Sequence, residues 1–370
     1  MSTPPSPTGV EQARESSVRI GALVPLTRPG WVEAGQHLLA GLELGVREIN
    51  EAGGILGAPL ELVVRDTAAD PSRAAAAVDE LARLGVAALA GEYHSVVARA
   101  AAARADALGL PFLCSSAVLD TLTEEPTEWV ARLAPAQSRS WQVYADFLLS
   151  AGHTRIAVAA QSSVYWASGV SILRDYLGPR GGSVVELEMS VLTPAAVCDE
   201  LVVNRATALL LLVGYPEPAV SIVKAVRGDD RLTEILIGAP AGQPEFAGWA
   251  TSLGGDGAAV PFLRYLPERL GALGERVEKA LREQLDAAPS FVAFEGYDTI
   301  AVLADLLRSQ GADRASIAES WPHVVVEGTR GQIRFSRTPG VSVWQWAWPP
   351  IQVVDRDPVE INRFRILHAG

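Results

Sequence analysis

The stretch Arg19–Asp70, RIGALVPLTRPGWVEAGQHLLAGLELGVREINEAGGILGAPLELVVRDTAAD, decides the fold. Ile20–Leu26 is a short apolar run suited to a buried strand, and Thr27-Arg28-Pro29-Gly30-Trp31 breaks it into a loop. Leu38, Leu42, Val46 and Ile49 then recur at spacings of four, four and three, which places them on one face of a helix. Gly53-Gly54 ends that helix, because glycine adopts the left-handed C-cap conformation without steric cost. Leu60–Arg65 is a second strand, and Asp66–Asp70 the loop after it. This is one β-α-β unit, long enough for a right-handed crossover between parallel strands. In open α/β sheets the loops after the strands hold the ligand.

Outward from that unit, residues 1–18 read as a flexible tail. On the other side, Asp70-Pro71 is an N-cap followed by proline at the first helical position, with Val78, Leu81 and Leu84 facing inward. Val86–Ala90 is a third strand, Gly91–Ser95 its turn, and the alanine-rich run to Leu108 a third helix. Pro111–Cys114 is a fourth strand, ending in Ser115-Ser116-Ala117. Four short parallel strands in so short a span describe a doubly wound lobe.

The rhythm restarts at Ser138 with a helix through Trp141, Tyr144, Phe147 and Leu148. Strands follow at Arg155–Ala160, Ser183–Leu187, Ala208–Val213 and Glu234–Gly238, with helices near Ser168–Leu177, Pro194–Val203 and Pro218–Val226. The architecture is the same twice, without a sequence repeat. The end of the chain breaks the alternation. Gly274–Leu285 and Phe291–Ser309 read as amphipathic helices, the second with Val292, Ile300, Leu303 and Leu306 inward, and both could pack back on the first lobe. Gly331–Ser336, Val341–Trp348 and Ile351–Val354 read as late β structure.

A chain of 370 residues exceeds what one core usually supports, so two domains are expected. The net charge of −12 and pI near 5.0 argue against general nucleic-acid binding. No apolar run approaches the roughly 18 residues that span a bilayer, and the first eighteen residues lack the apolar core of a signal peptide. Cys114 and Cys198 lie in apolar settings and are expected to be reduced, buried thiols. The five histidines show no metal-ligand spacing, and neither His-Glu-x-x-His, Gly-x-Ser-x-Gly nor a phosphate loop occurs.

Several strings, in their order, resemble the type I periplasmic binding proteins, in particular their leucine/isoleucine/valine-binding branch. They are Ile49-Asn50-x-x-Gly53-Gly54-Ile55-x-Gly57, Asp66 with Asp70-Pro71, and Gly91-x-Tyr93-x-Ser95. The Tyr93-x-Ser95 pair, and Val164–Ala167 around Tyr165, are similar to the amide-binding sensor of the same branch. The resemblance implies two doubly wound parallel-sheet lobes joined by three crossings, with a ligand cleft between them that closes about the hinges. Transferred here, lobe one is 19–135 plus 262–327 and lobe two 136–261 plus 328–370, with hinges at Pro135, Pro261 and the Gly328 region.

The resemblance also implies a site. Ser95 would hold a carboxylate or amide oxygen at a helix start, or serve only as an N-cap. Ser116 and Ala117 would offer backbone groups to the ligand's polar head, or form an ordinary strand-to-helix turn. Tyr165 would close over the ligand, or be a core tyrosine, and Tyr215 is a similar case. Tyr93 belongs to the matching motif, and Trp31 would form a wall or simply pack. Where amino-acid receptors hold the ammonium group with a threonine and a carboxylate, this chain aligns Val118 and Pro240. Neither side chain binds a cation, so an amide, a carboxylate without an α-amine, or an apolar metabolite fits better; Glu92 or Asp120 would be the substitutes for the missing charge.

The expected function is therefore non-enzymatic solute binding without a cofactor or metal. A small molecule is the expected partner, and the receptor would deliver it to an ABC transporter permease. The alternative is a cytoplasmic sensor regulating a partner protein; an enzyme is a third class. With Met1 as the natural start the protein stays in the cytoplasm, whereas a trimmed signal would place it in the periplasm or outside the cell.

Overall fold

The computed structural model describes residues 17–370, so the expected tail lies outside the described residues except for Ser17 and Val18, and Val18 already belongs to the first strand. The first lobe runs β1 (Val18–Val24), α1 (Val32–Glu51), β2 (Leu60–Asp66), α2 (Pro71–Arg83), β3 (Ala88–Gly91), α3 (Ser95–Ala107), β4 (Phe112–Cys114) and β5 (Val130–Arg132). The strands are parallel in the order β2-β1-β3-β4-β5. The second lobe runs α4 (Gln137–Ser150), β6 (Arg155–Ala160), α5 (Val164–Leu177), β7 (Ser183–Glu188), α6 (Pro194–Val203), β8 (Ala208–Leu212), α7 (Ala219–Arg227), β9 (Leu236–Gly238) and α8 (Ala247–Leu253). Its parallel order is β7-β6-β8-β9. The central strands β1, β6 and β8 are apolar runs because helices cover both sheet faces.

The motif residues behind the family resemblance lock turns. The Asn50 amide nitrogen donates to the Leu60 carbonyl at 2.9 Å while its oxygen accepts from Leu60 N–H at 2.7 Å, tying the end of α1 to the start of β2. Asp66 accepts from Leu26 N–H at 2.8 Å and the Thr27 hydroxyl at 2.6 Å, which joins the loops after β1 and β2. Asp70 caps α2 through Ser72 and Arg73 N–H, as its sequence context implies.

The third part of the chain crosses between lobes. β10 (Phe262–Arg264) stays with the second lobe, where Ala239 N–H donates to the Pro261 carbonyl at 2.8 Å. α9 (Ala272–Leu285) and α10 (Phe291–Gln310) then pack back on the first lobe against α1. α11 (Arg314–Glu319), the hairpin β11 (Val326–Gly328) and β12 (Gly331–Ile333), and β13 (Phe335–Ser336) follow. β14 (Trp344–Trp346) pairs parallel with β5, and β13 antiparallel with β14, so both extend the first sheet. β15 (Gln352–Arg356) and β16 (Phe364–Ala369) close the chain beside β10 in an antiparallel set.

Several expectations change. Passage back to the first lobe comes after Arg264 rather than at Pro261, because β10 pairs with β15. The last passage comes between Trp346 and Gln352, not at Gly328, because β14 completes the first sheet. Short strands such as β5 and β10 carry too few residues for a periodic signal. α10 buries 15 of its 20 residues; Phe291–Ile300 are buried all round, so the expected single inward face is incomplete there, while Asp305, Arg308, Ser309 and Gln310 leave an exposed side on the last turns. Trp348, which ends the stretch expected to be β structure, lies beyond β14 and is 79% exposed. Cys114 and Cys198 are free and buried, as expected. No helix among the described residues is long and apolar enough to cross a membrane.

Candidate functional site

Seven loops at strand carboxyl ends converge between the lobes. Trp31 follows β1, Ala69 follows β2, Tyr93 follows β3 and Ser116 follows β4; Ser163, Tyr215 and Gln243 follow β6, β8 and β9. They enclose a cavity of about 300 Å³, at the position the parallel-sheet rule assigns to ligands. Its wall carries seven aromatic residues: Trp31, Tyr93, Tyr165, Trp166, Tyr215, Tyr265 and Phe291. Among the described residues, no aspartate, glutamate, lysine or arginine side chain contributes to it.

On the first lobe the wall is built around the start of α3. Gly91 has φ of +105°, and a Cβ there would lie 2.0 Å from the Leu23 carbonyl, so only glycine allows β3 to turn this close to β1. Glu92 is fully buried and accepts from the Thr67 hydroxyl at 2.7 Å, Tyr93 N–H at 2.9 Å and His94 N–H at 3.0 Å. Burial raises its carboxyl to about 7, against the pull of these donors. Ser95, Val96 and Val97 form the first turn, where no intrahelical carbonyl reaches their N–H groups, and all three line the cavity. These amides and the positive end of the helix favour a carboxylate or amide oxygen. The Ser95 hydroxyl accepts from Val118 and Leu119 N–H at 3.2 and 3.3 Å, fastening the loop after β4 to α3.

His94 receives Trp31 N–H on Nε2 at 3.1 Å, and burial lowers its pKa to about 4, so the imidazole is neutral. That bond orients Trp31, whose ring lies edge-on to Tyr93 at 5.7 Å and stacks across the cleft on Tyr215 at 5.6 Å. Trp31 thus both packs and forms wall. Nearby, Glu33 of α1 accepts from Ala247 N–H at 2.8 Å and Gly248 N–H at 3.3 Å, a carboxylate of the first lobe on the start of α8 in the second. Ser163 caps α5 by accepting from Tyr165 and Trp166 N–H, and this sets Tyr165 in the first turn, edge-on to Trp141.

Behind the wall lies a fully buried charge cluster. Arg330 donates to Asp298 at 2.8 Å and Glu295 at 3.2 Å, and Glu295 accepts from the Ser116 hydroxyl. Burial raises Glu295 to about 7, with Arg330 pulling the other way.

Of the residues singled out from sequence, Trp31, Tyr93, Ser95, Ser116, Tyr165 and Tyr215 meet at this cavity. Ala117 does not; it is fully buried, in the same core cluster as Ala101 and Leu119. Pro240 does not either, because the turn after β9 presents Ala241 and Gln243. Glu92 faces its own helix start, and Asp120 accepts from Ser138 N–H at 3.0 Å, so neither supplies a carboxylate to the cavity. Sequence reasoning missed His94, Trp166, Gln243, Tyr265 and Phe291 as wall residues. Gln243 was within reach of the strand-end rule; Tyr265 and Phe291 arrive from the second crossing, which no local signal marks.

Among sequence-family models, that for periplasmic binding proteins matches residues 17–344. "Leu/Ile/Val-binding protein homolog 8" of Brucella abortus (strain 2308) is 31% identical over 135 residues, 36% of this chain and 33% of that one. The chain therefore aligns with only about a third of such a relative. The chemotactic signal transduction system substrate-binding protein BasB of Halobacterium salinarum is 26% identical over 60% of this chain and 55% of its own. Among solved structures, the leucine binding protein LivK of Thermotoga maritima superposes with a TM-score of 0.81 at 20% identity, covering 94% of this chain and 97% of that one. A solute binding protein from R. palustris in complex with benzoate gives 0.79 at 18% identity, covering 96% of each. The family and these neighbours are binding proteins, and with this extent of match the chain belongs to the type I periplasmic binding proteins, in their leucine/isoleucine/valine-binding branch.

Proposed function

We propose that the protein is a solute receptor whose lobes close on a small ligand with a flat, largely apolar body and one carboxylate or carboxamide head, rather than on a zwitterionic α-amino acid. The observation that carries this reading is the composition of the wall, which is rich in aromatic rings and has no charged side chain among the described residues. An ammonium group brought there without a partner would cost several kcal/mol. A carboxylate or amide oxygen finds the first-turn amides of Ser95, Val96 and Val97. The body would lie among Trp31, Tyr93, Tyr165 and Tyr215, with Ser116 beside the head. In this reading the ligand contacts inferred from Ala117 and Pro240 are dropped.

Calorimetric titration with leucine, valine, acetamide, benzoate and benzamide tests the reading. Binding of an aryl acid or an amide at micromolar concentration, with leucine at least a hundredfold weaker on the order set by an unpaired buried charge, is expected. Micromolar leucine binding would overturn it. The first role to test is delivery to an ABC transporter, since the structural neighbours include transporter substrate-binding proteins. A sensing role, with the closed form read by a regulatory partner, is favoured by the relative named for chemotactic signal transduction. Co-purification with a permease or with a signalling protein from the native host separates the two.

A further inference from the structure

Residues 242–248, from the turn after β9 to the first turn of α8, belong to the second lobe but touch the first at three points. The segment is anchored from behind by Arg356 of β15, itself buried, which donates to the carbonyls of Pro244 at 2.6 Å, Glu245 at 3.1 Å and Phe246 at 3.0 Å. From that anchor Glu245, paired with Arg264 of β10 at 2.9 Å, accepts from Phe291 N–H at the start of α10 at 3.0 Å. Phe246 is 1% exposed, and its ring partners are Trp31 at 5.0 Å, His37 at 6.0 Å and Tyr93 at 6.3 Å, all from the first lobe. Ala247 and Gly248 N–H reach Glu33 of α1. Phe246 is not part of the cavity wall. Its contacts cross between the lobes, so opening would return its ring, with parts of Trp31 and His37, to water. The lobes therefore attract each other here through apolar area that no ligand in the cavity touches.

We propose that residues 242–248 form a strap that holds the lobes closed with or without ligand, and that Phe246 is its positioning residue, setting Trp31 and Tyr93 against the second lobe. The inference goes beyond the reading of the cavity and does not depend on which ligand the cavity takes. The ligand then selects and stabilises an arrangement that the chain already populates. Phe246 acts through the closed arrangement and not through a wall contact. Weakening it lowers affinity for every ligand by one factor, whereas a change in the wall shifts preference among ligands.

Hydrogen exchange on the full chain without ligand, followed by NMR or mass spectrometry, tests it. Ala247 and Gly248 N–H lie in the first turn of α8 and are bonded to a first-lobe carboxylate, so they are protected while the lobes are closed. The amides of β8 report the second lobe's own fold. In the parent, the two α8 amides should exchange at least about tenfold more slowly than in an unstructured chain. Phe246→Ala should bring them to within about threefold of that limit, with β8 unchanged. Phe246→Leu, which keeps much of the apolar contact, should fall between. Unprotected α8 amides in the parent, or equal protection in the parent and Phe246→Ala, overturns the inference. Where Phe246→Ala also strips protection from β8, Phe246→Leu is judged by the same criteria. Loss of β8 protection in both variants would make Phe246 a core residue of the second lobe and overturns the inference as well.

Discussion

Replacing Arg330 with methionine would remove a guanidinium that is inaccessible to solvent and pinned between Asp298 at 2.8 Å and Glu295 at 3.2 Å. Methionine fills much of the same space, so the loss is electrostatic rather than a cavity. Asp298 keeps Thr329 N–H at 2.6 Å and the Thr329 hydroxyl at 2.8 Å, and Glu295 keeps the Ser116 hydroxyl. Breaking a buried pair by removing one partner costs about 3–5 kcal/mol. The pH dependence carries the sharper signature. Glu295 is already raised to about 7 by burial, so the folded state holds its proton more tightly than the unfolded chain does. Its contribution to stability is therefore full at low pH and is lost as pH rises from the ordinary carboxylate range through about 7. Without Arg330 its pKa rises further, and the decline continues to higher pH. Urea unfolding of both proteins at pH 5 and pH 8.5 should show a penalty that grows with pH. A loss below about 1 kcal/mol at the higher pH, where a broken buried pair predicts several, or a penalty independent of pH, would refute the reasoning. Because Glu295 also holds Ser116, and Arg330 donates to the Tyr265 carbonyl at 3.4 Å, ligand affinity should fall with stability.

Glu33→Gln weakens the contact between α1 and the start of α8, a half-exposed charge on two amides worth about 1 kcal/mol. Ligand affinity should drop up to about fivefold with little change in melting temperature, and small-angle scattering should show a larger open fraction. His94 is held neutral down to about pH 4 by burial, so its contribution is complete above the ordinary histidine value and is lost as pH falls from there through about 4. His94→Gln should therefore lose less stability between pH 6.5 and 4 than the parent, by up to about 3 kcal/mol in unfolding titrations. At Gly41 an added Cβ would stand 1.9 Å from the Ala293 carbonyl in α10. Gly41→Ala should destabilise by more than the roughly 1 kcal/mol that alanine contributes to helix propensity, read as a lowered melting temperature.

What could be read from the chain alone was whatever its neighbours in sequence encode. The β-α-β unit at Arg19–Asp70, the Asp70-Pro71 cap and the alternating strands and helices of both lobes all follow from local apolar periodicity and turn chemistry. Six wall residues were found because they directly follow strands or belong to the family strings. What only the tertiary structure decided depends on distant segments meeting. β14 joins the first sheet more than 200 residues after β5 begins, and the first half of α10 is buried all round because it packs on α1 and the first sheet. The absence of a charged wall side chain is of the same kind. Glu92 lies beside Tyr93 in sequence, yet its carboxylate turns to Thr67 and the start of α3, and Glu295 turns to Ser116 and Arg330. A buried carboxylate goes where donors satisfy it, and those donors come from parts of the chain that only folding brings together.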